Sequence, residues 1–414
     1  MVQSSSVSES YPAGLPRLSN SQWRDEYEKY FTPNFGRRRL ALVRGEGSWV
    51  WDAEGRRYLD FLTGISVNNL GHCNPRVTAA IQRQAATMVH TSNLFYVPVQ
   101  IQLGRLLIEN SFADRLFLAN SGAEANEAAI KIARRYNKET KGPGHHEIIC
   151  TLGSFHGRTM ATLTATGQEK TKKNFEPYLE GFSHVPYNDL DAMRKAVTPA
   201  TGAIMFELVQ GEHGVYPATQ EYVRGIRELC DERGILMIID EVQTGLGRTG
   251  KLFCYEHYGV TPDILTLAKS IGGGLAMGAM LCTETVSTAF GPGAHGSTMG
   301  GNALTCAASL AYMSELIEGG WSAKAAEMGE YVRSALRKAL EPTGKLKEIR
   351  GLGLMIGVEV SVAGADVVLA AEQLGLLINA PAPNTLRLLP ALNITREEVD
   401  EAVEIIAKAV ASVQ

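Results

Sequence analysis

From about residue 75 onward the chain repeats one pattern: a short, almost wholly apolar run, then a longer segment with helical spacing. The runs are RLFLA (115–119), EIICTL (147–152), AIMFELV (203–209), ILMIID (235–240), DILTLA (263–268) and AMGAMLC (276–282). Segments 77–89, 97–110, 122–137 and 218–233 carry apolar residues at helical intervals. A strand with one wet face alternates polar and apolar residues, whereas a strand buried on both faces reads as a continuous apolar run. Six such runs alternating with helices predict an α/β fold, with a mostly parallel sheet covered on both sides.

The flanks read differently. LALVRGEGSWVWDAEGRRYLDF alternates and is broken by Gly45, Gly47 and Gly55, which predicts a β-meander. Residues 21–31 have helical spacing, and the Ser- and Pro-rich residues 1–20 read as a loose tail. A long helical stretch starts near 303, followed by the strand-like KLKEIRGLGLMIGVEV. The last helix opens at Thr395 with Glu398 three residues on, a capping box, and lines up Val399, Ala402, Val403, Ile406 and Val410 on one face.

Composition narrows the function classes. With 414 residues, 45% hydrophobic and 20% charged, the chain is an ordinary globular protein of two or three domains. A net charge of −4 argues against a broad footprint for nucleic acid or anionic membrane. No run of about 18 apolar residues is present, and the N-terminus has neither an apolar core nor an early arginine. Cys73, Cys150, Cys230, Cys254, Cys282 and Cys306 are scattered without a C-x-x-C, which fits neither a disulfide framework nor a zinc site. A cytoplasmic protein without a metal centre is the expectation.

In open α/β sheets ligands bind beyond the carboxyl ends of the strands. After RLFLA comes Ser121-Gly122-Ala123-Glu124, a capping box (Ser121 with Glu124) whose free N–H groups suit a phosphate. After EIICTL, Phe155 can stack on a planar ligand and Arg158 can grip a carboxylate. Glu212 follows the third run. Asp240 closes the fourth, where a buried carboxylate needs a partner. Lys269 follows the fifth, backed by Gly272, Gly273 and Gly274; a desolvated lysine is a nucleophile toward carbonyls. Singly, each is as well explained by an ordinary cap, a core ring or a solvated charge. Two phosphate-loop patterns in the chain fail: Gly245–Gly250 has no helix directly after it, and Leu252 stands where a Walker-type loop needs Ser or Thr. Together the residues supply a phosphate cradle, a stacking ring, an acid, a nucleophilic lysine and a carboxylate-binding arginine. That is the inventory of a pyridoxal phosphate site, in which lysine forms the Schiff base and an acid partners the pyridine nitrogen.

At this point the chain resembles the class III aminotransferases of the fold type I pyridoxal phosphate superfamily. The segments NSGAEANEAAIKIAR, FHGRT, VQGEHGVYPA, IIDEVQTGLGRTG, LAKSIGGG and HGSTMGGNALTCAA carry the likeness, in order, from about Leu42 to Ala407. The resemblance implies a large domain with a mostly parallel seven-stranded sheet and a smaller α+β domain from both ends of the chain. The corresponding division is 1–74, 75–306 and 307–414. It implies pyridoxal 5'-phosphate on Lys269, with Asp240 at the pyridinium nitrogen and Gln243 at the phenolic oxygen. Val242 and Phe155 would sandwich the ring, and Ser121, Gly122 and Ala123 would cradle the phosphate. Thr298 would reach the phosphate of a neighbouring subunit, which implies a homodimer with shared sites. Arg158 would hold a substrate carboxylate. Arg387, in NTLRLLP, would hold the α-carboxylate of glutamate, and Glu212 would pair with Arg387 when the other donor occupies the site.

Within the family, GISVNNLGHCNP, HTSNLF and RLLPALNITREEVDEA are most similar to N-acetylornithine aminotransferases. Ornithine aminotransferases place a tyrosine at the position of Ile65; an aliphatic residue offers no hydroxyl to a free α-amino group and tolerates an acylated one. The implied substrates are N-acetylornithine, glutamate and 2-oxoglutarate. Succinylornithine, N-acetyllysine, ornithine and 4-aminobutyrate are the alternative amines. The family's usual aromatic-Gly-Arg near the N-terminus is a tyrosine motif; here Phe35-Gly36-Arg37-Arg38-Arg39 lacks the hydroxyl and adds arginines. A decarboxylase or aminomutase on the same scaffold has less use for an Arg387/Glu212 pair.

Overall fold

The computed structural model describes residues 14–36 and 38–414; residues 1–13 of the expected tail, and Arg37, lie outside the described residues. A seven-stranded sheet forms the centre. Its spatial order is Arg115–Ala119, Gly278–Cys282, Ile264–Leu267, Leu236–Asp240, Thr201–Glu207, Glu147–Thr151 and Phe182–Val185. Gly278–Cys282 runs against both neighbours, and the remaining adjacent pairs are parallel. Alternate residues of one strand enter different cores. Ile204 and Phe206 join the cluster that holds most of the molecule's buried side chains, while Ala203 and Met205 join a smaller one with Ala129, Ile132 and Ala133 of the helix Gly122–Lys141. Both faces are therefore dry, which is why these strands read as unbroken apolar runs.

Two features depart from the sequence reading. Phe182–Val185 is a seventh strand, added at the sheet edge with an alternating burial pattern instead of an apolar run. The third run does not end at Val209. The sheet strand is Thr201–Glu207, and Val209–Gln210 turns away to pair with Tyr216–Pro217. The residue at that strand's carboxyl end is thus Glu207.

The flanks build two smaller sheets. Leu42–Glu46, Trp49–Asp52 and Arg57–Asp60 form the meander, and Leu376–Leu377 adds to it in parallel, with Leu376 opposite Leu59. KLKEIRGLGLMIGVEV is a hairpin, Leu346–Leu352 with Met355–Val360, extended by Thr385–Leu388 and Asn379–Ala382. The helical stretch after 303 is two helices, Ala303–Glu318 and Trp321–Leu340, parted at Gly319-Gly320. The last helix, Arg396–Ser412, carries the full Thr395–Glu398 capping box and buries all five of the expected apolar residues.

Thr63, Gly64, Ile65 and Ser66 all have positive φ, between 48° and 65°, and form a left-handed turn. Each non-glycine residue there costs roughly 1–2 kcal/mol. Neighbours hold it in place: Asp60 accepts from the Leu62 and Thr63 amides at 2.8 and 2.9 Å, and the Thr63 hydroxyl donates to the Leu389 carbonyl at 2.9 Å. Arg248, fully buried, donates to Ser66 Oγ at 2.9 Å, to Asn69 Oδ1, and to the carbonyls of Leu354 and Pro390 at 3.0 and 2.6 Å. Burial pushes its pKa down to about 9, so it remains charged at neutral pH.

Candidate active site

A cavity of about 500 Å³ opens at the carboxyl ends of the central strands. Ten of the residues singled out in the sequence line it: Ser121, Gly122, Ala123, Phe155, Arg158, Glu212, Asp240, Val242, Gln243 and Lys269. Arg387 joins them through hydrogen bonds from the small sheet. Ile65 and Thr298 do not line it. Val67, two residues after Ile65, does, and Thr298 lies exposed beside Met299.

Asp240 ends its strand almost fully buried, and its partners are strong. Oδ2 accepts from Asn126 Nδ2 and His156 Nδ1, both at 2.8 Å, and Oδ1 accepts from the Val242 amide at 2.9 Å. A carboxylate oxygen accepts, so in this pair His156 Nδ1 is the donor. Asn126 is itself oriented by Thr266, whose hydroxyl donates to Asn126 Oδ1 at 2.7 Å. Neither Asn126 nor His156 was singled out from sequence. The expectation that Asp240 needs a partner named no residue, and these two come from 114 and 84 residues away.

Lys269 follows the strand Ile264–Leu267 with φ +53°, at the start of a short 3₁₀ turn closed by Gly273 in the left-handed region. A left-handed lysine is strained backbone, and such strain collects at functional sites. Burial, and after it Arg387, drive its amine pKa below the ordinary lysine range, against the opposing pull of Glu212 and Asp240.

The helix Gly122–Lys141 aims its N-terminus into the cavity. Ser121 Oγ accepts from the Glu124 amide at 3.2 Å, half of the expected capping box. The other half is displaced: the Glu124 carboxylate reaches past Ser121 to the amide and side chain of Asn120, at 2.6 and 2.8 Å. Ser121, Gly122 and Ala123, at the start of this helix, line the cavity. A Cβ at Gly122 would lie 2.8 Å from Val242 Cγ1, so only glycine lets the helix start approach this wall. Phe155 faces the same cavity, with the exposed Arg158 guanidinium 5.5 Å from its ring centre.

Arg387 is fully buried in Thr385–Leu388. Its Nη1 donates to Glu212 Oε1 at 2.5 Å and to Gln243 Oε1 and the Gly211 carbonyl at 3.2 Å, and Gln243 Nε2 donates to Glu212 at 3.1 Å. Arg387 Nη2 has no partner among the described residues, an open donor on a buried cation. Burial works against ionisation of Glu212, but Arg387 outweighs it and holds the carboxyl below its usual range.

These residues fit pyridoxal phosphate: an aligned and buried carboxylate, a lysine of lowered pKa, a helix N-terminus, and a cavity walled by Phe155 and Val242. Comparison with known proteins agrees. The family model "Aminotransferase class-III" matches residues 31–410. An acetylornithine aminotransferase of Caldanaerobacter subterraneus subsp. tengcongensis is 50% identical over 380 residues, 92% of this chain and 96% of that one. A succinylornithine transaminase/acetylornithine aminotransferase of Pseudomonas aeruginosa is 45% identical over 94% of this chain and 97% of its own length. Among solved structures, an ornithine aminotransferase of Toxoplasma gondii ME49 superposes with a TM-score of 0.92 at 35% identity, covering 95% of both chains. The chain belongs to the class-III aminotransferases.

Proposed function

We propose that the protein binds pyridoxal 5'-phosphate at Lys269 and transfers the terminal amine of N-acetylornithine to 2-oxoglutarate, giving glutamate. The observation that carries this reading is the Arg387–Glu212 ion pair beside Lys269, with one buried guanidinium nitrogen left open. An arginine that must hold a carboxylate in one half-reaction and avoid an amine donor in the other needs a removable counterion. Glu212 is that counterion: it stands on a loop, it is part-exposed, and Arg387 keeps it ionised.

When bound, the cofactor supplies an aldehyde that condenses with amines and a ring that withdraws electrons from the attached carbon. Ser121, Gly122 and Ala123 would hold its phosphate, Asp240 its ring nitrogen, and Gln243 its phenolic oxygen, while Phe155 and Val242 cover its faces. Lys269 Nζ takes and returns the proton that moves during transfer; burial lowers its pKa and so favours the free amine. Arg387 Nη2 and Nη1 would grip the α-carboxylate of glutamate once Glu212 swings aside, and Arg158 the second carboxylate.

Thr298 belongs to the neighbouring site in this reading, so the active unit is a homodimer. Leu94, Phe95 and Tyr96 are 83%, 68% and 94% exposed, and Asn93 ties their segment to the Thr298 loop through the Ser297 and Gly300 carbonyls. Exposed apolar residues grouped this way suit a protein partner. The division into 1–74, 75–306 and 307–414 is likewise proposed, the second boundary falling within the helix Ala303–Glu318. The cytoplasm is the proposed location, supported by six unpaired cysteines.

Ornithine is the second reading, because the fold superposes so well on an ornithine aminotransferase. The acetylornithine aminotransferases, at 45–50% identity against 35% for the ornithine enzyme, favour the acylated amine over it. The test is an absorption spectrum of the purified protein before and after adding N-acetylornithine with no oxo-acid acceptor. A yellow band that bleaches supports cofactor, half-reaction and donor together. A band that bleaches with ornithine or 4-aminobutyrate and not with N-acetylornithine leaves the cofactor and overturns the donor.

A further inference from the structure

The cavity has a second buried carboxyl that the roles above leave unused. Glu207 ends the strand beside Asp240, and the parallel register sets the two residues directly opposite each other. Thr266 sits opposite Asp240 on the other side. Side chains in one such row point to one face and stand about 4.8 Å apart. That face is the one the helix Gly122–Lys141 covers, since Asn126 bonds both Asp240 and Thr266. Asp240 and Glu207 are therefore neighbouring carboxyls in one dry layer, 4% and 6% exposed.

Their partners differ sharply. Asp240 accepts three hydrogen bonds. Glu207 Oε2 accepts one, from the Phe155 amide at 2.9 Å. The Tyr187 hydroxyl near it donates to the Glu207 backbone carbonyl, not to the carboxyl. Phe155 is the residue placed against one face of the ring, and it stands on an irregular loop that begins with Gly153 at φ +81°. The hydrogen bond that the Phe155 amide donates to Glu207 is what ties this loop to the sheet at that residue.

We propose that Glu207 is a positioning residue: it pins Phe155 at the ring face and, as the weaker-held member of a carboxyl pair, leaves the negative charge to Asp240. The proposal rests on the pyridoxal phosphate reading of the site. Two like charges this close in a dry layer do not both ionise, and the one with fewer donors takes the proton. Burial first, then the Asp240 charge, push the Glu207 pKa well above the ordinary range, against the Phe155 amide and Lys269. The other groups around the pair are His156 and Arg158 on the Phe155 loop, Glu212 on the next loop, and Asn126 on the helix. A protonated Glu207 still accepts from the Phe155 amide through its carbonyl oxygen, and so does a glutamine.

The first experiment needs no cofactor. Infrared difference spectra of the cofactor-free wild type against Glu207→Gln should show the carbonyl band of a protonated carboxyl at pH 7, absent from the variant. In Asp240→Asn that band should disappear at lower pH than in the wild type, because the neighbouring charge is gone. A merely structural Glu207 would not respond to Asp240. The second experiment measures binding of pyridoxal phosphate by fluorescence quenching. Glu207→Gln should bind within about threefold of the wild type, and Glu207→Ala about tenfold more weakly. A Glu207 that titrates as an ordinary carboxylate, a band indifferent to Asp240→Asn, or a Glu207→Gln as weak as Glu207→Ala would each overturn the proposal. If the wild type bound no pyridoxal phosphate, the ring-face role would fall with the reading of the site, while the infrared result would still decide the carboxyl pair.

Discussion

Asp240 and Glu212 are both carboxylates in one cavity, and they are built in opposite ways. Asp240 closes a central strand, is 4% exposed, and is locked by donors from a helix, a loop and its own backbone. Glu212 stands on a loop outside the sheet, its side chain 29% exposed, held by one arginine and one amide side chain that also bond each other. On the proposed roles, a group that offers the same charge in both half-reactions would sit where nothing can move, and one that comes and goes would sit where only two side chains have to let go. Local stability within one fold differs in this way by construction.

Substitutions can sharpen or break that contrast. The largest loss belongs to neither carboxylate: Lys269→Ala should lower transamination by more than about 10⁴-fold with either substrate, measured on protein freed of contaminating transaminase. Asp240→Ala should lower kcat for N-acetylornithine and for glutamate alike, by about 10² to 10³-fold. Unequal losses would show that the sheet-borne carboxylate also discriminates between donors. Unpairing Asn126 and His156 should in addition cost about 1–3 kcal/mol of stability, read by thermal melting.

Glu212→Ala should act on one half-reaction. We expect the ratio of kcat/KM values to move about tenfold toward glutamate, since Arg387 is then always open. An unchanged ratio would remove the gate. The smallest effect concerns pH. Because Arg387 holds the Glu212 pKa below the ordinary carboxylate range, the pair's contribution is complete at neutral pH and fades only as acid titrates Glu212 through that depressed value. The donor ratio should therefore stay flat from about pH 6 to 9 and shift only in more acidic buffer. A ratio that drifts through neutral pH would mean Glu212 is not held ionised as the geometry implies.

How much of this was readable in the chain follows from the same physics. The six apolar strands were legible because a sheet dry on both faces leaves no polar alternation. Phe182–Val185 was not, because an edge strand of four residues has neither the length nor the apolarity to stand out. Lys269, Asp240 and Glu212 could be found by reading past each strand end. Glu207 could not, because Leu208 and Val209 make the apolar run seem to continue past it, when the chain has already left the sheet. Asn126 and His156 matter only through where the fold puts them, and no local pattern marks a residue that orients another. The left-handed turn at Thr63–Ser66 is similarly silent: only Gly64 among the four favours that backbone. It persists because Asp60, just before it, and Leu389 and Arg248, from two distant parts of the chain, hold it.

Arg248 has a consequence for how the molecule comes into being. Its four acceptors lie on Ser66, Asn69, Leu354 and Pro390, on both sides of it in the sequence and far from it. On a ribosome the first two are made long before the last two. Until residue 390 has emerged, the guanidinium lacks half its acceptors, and the strand Arg57–Asp60 lacks its neighbour Leu376–Leu377. The central sheet can assemble once Cys282 has been made, while the turn Thr63–Ser66 has to wait for contacts that span most of the chain. The newborn protein thus has a period in which the central sheet can be complete while the turn Thr63–Ser66 still lacks its holds, the stage at which a chaperone has most to protect.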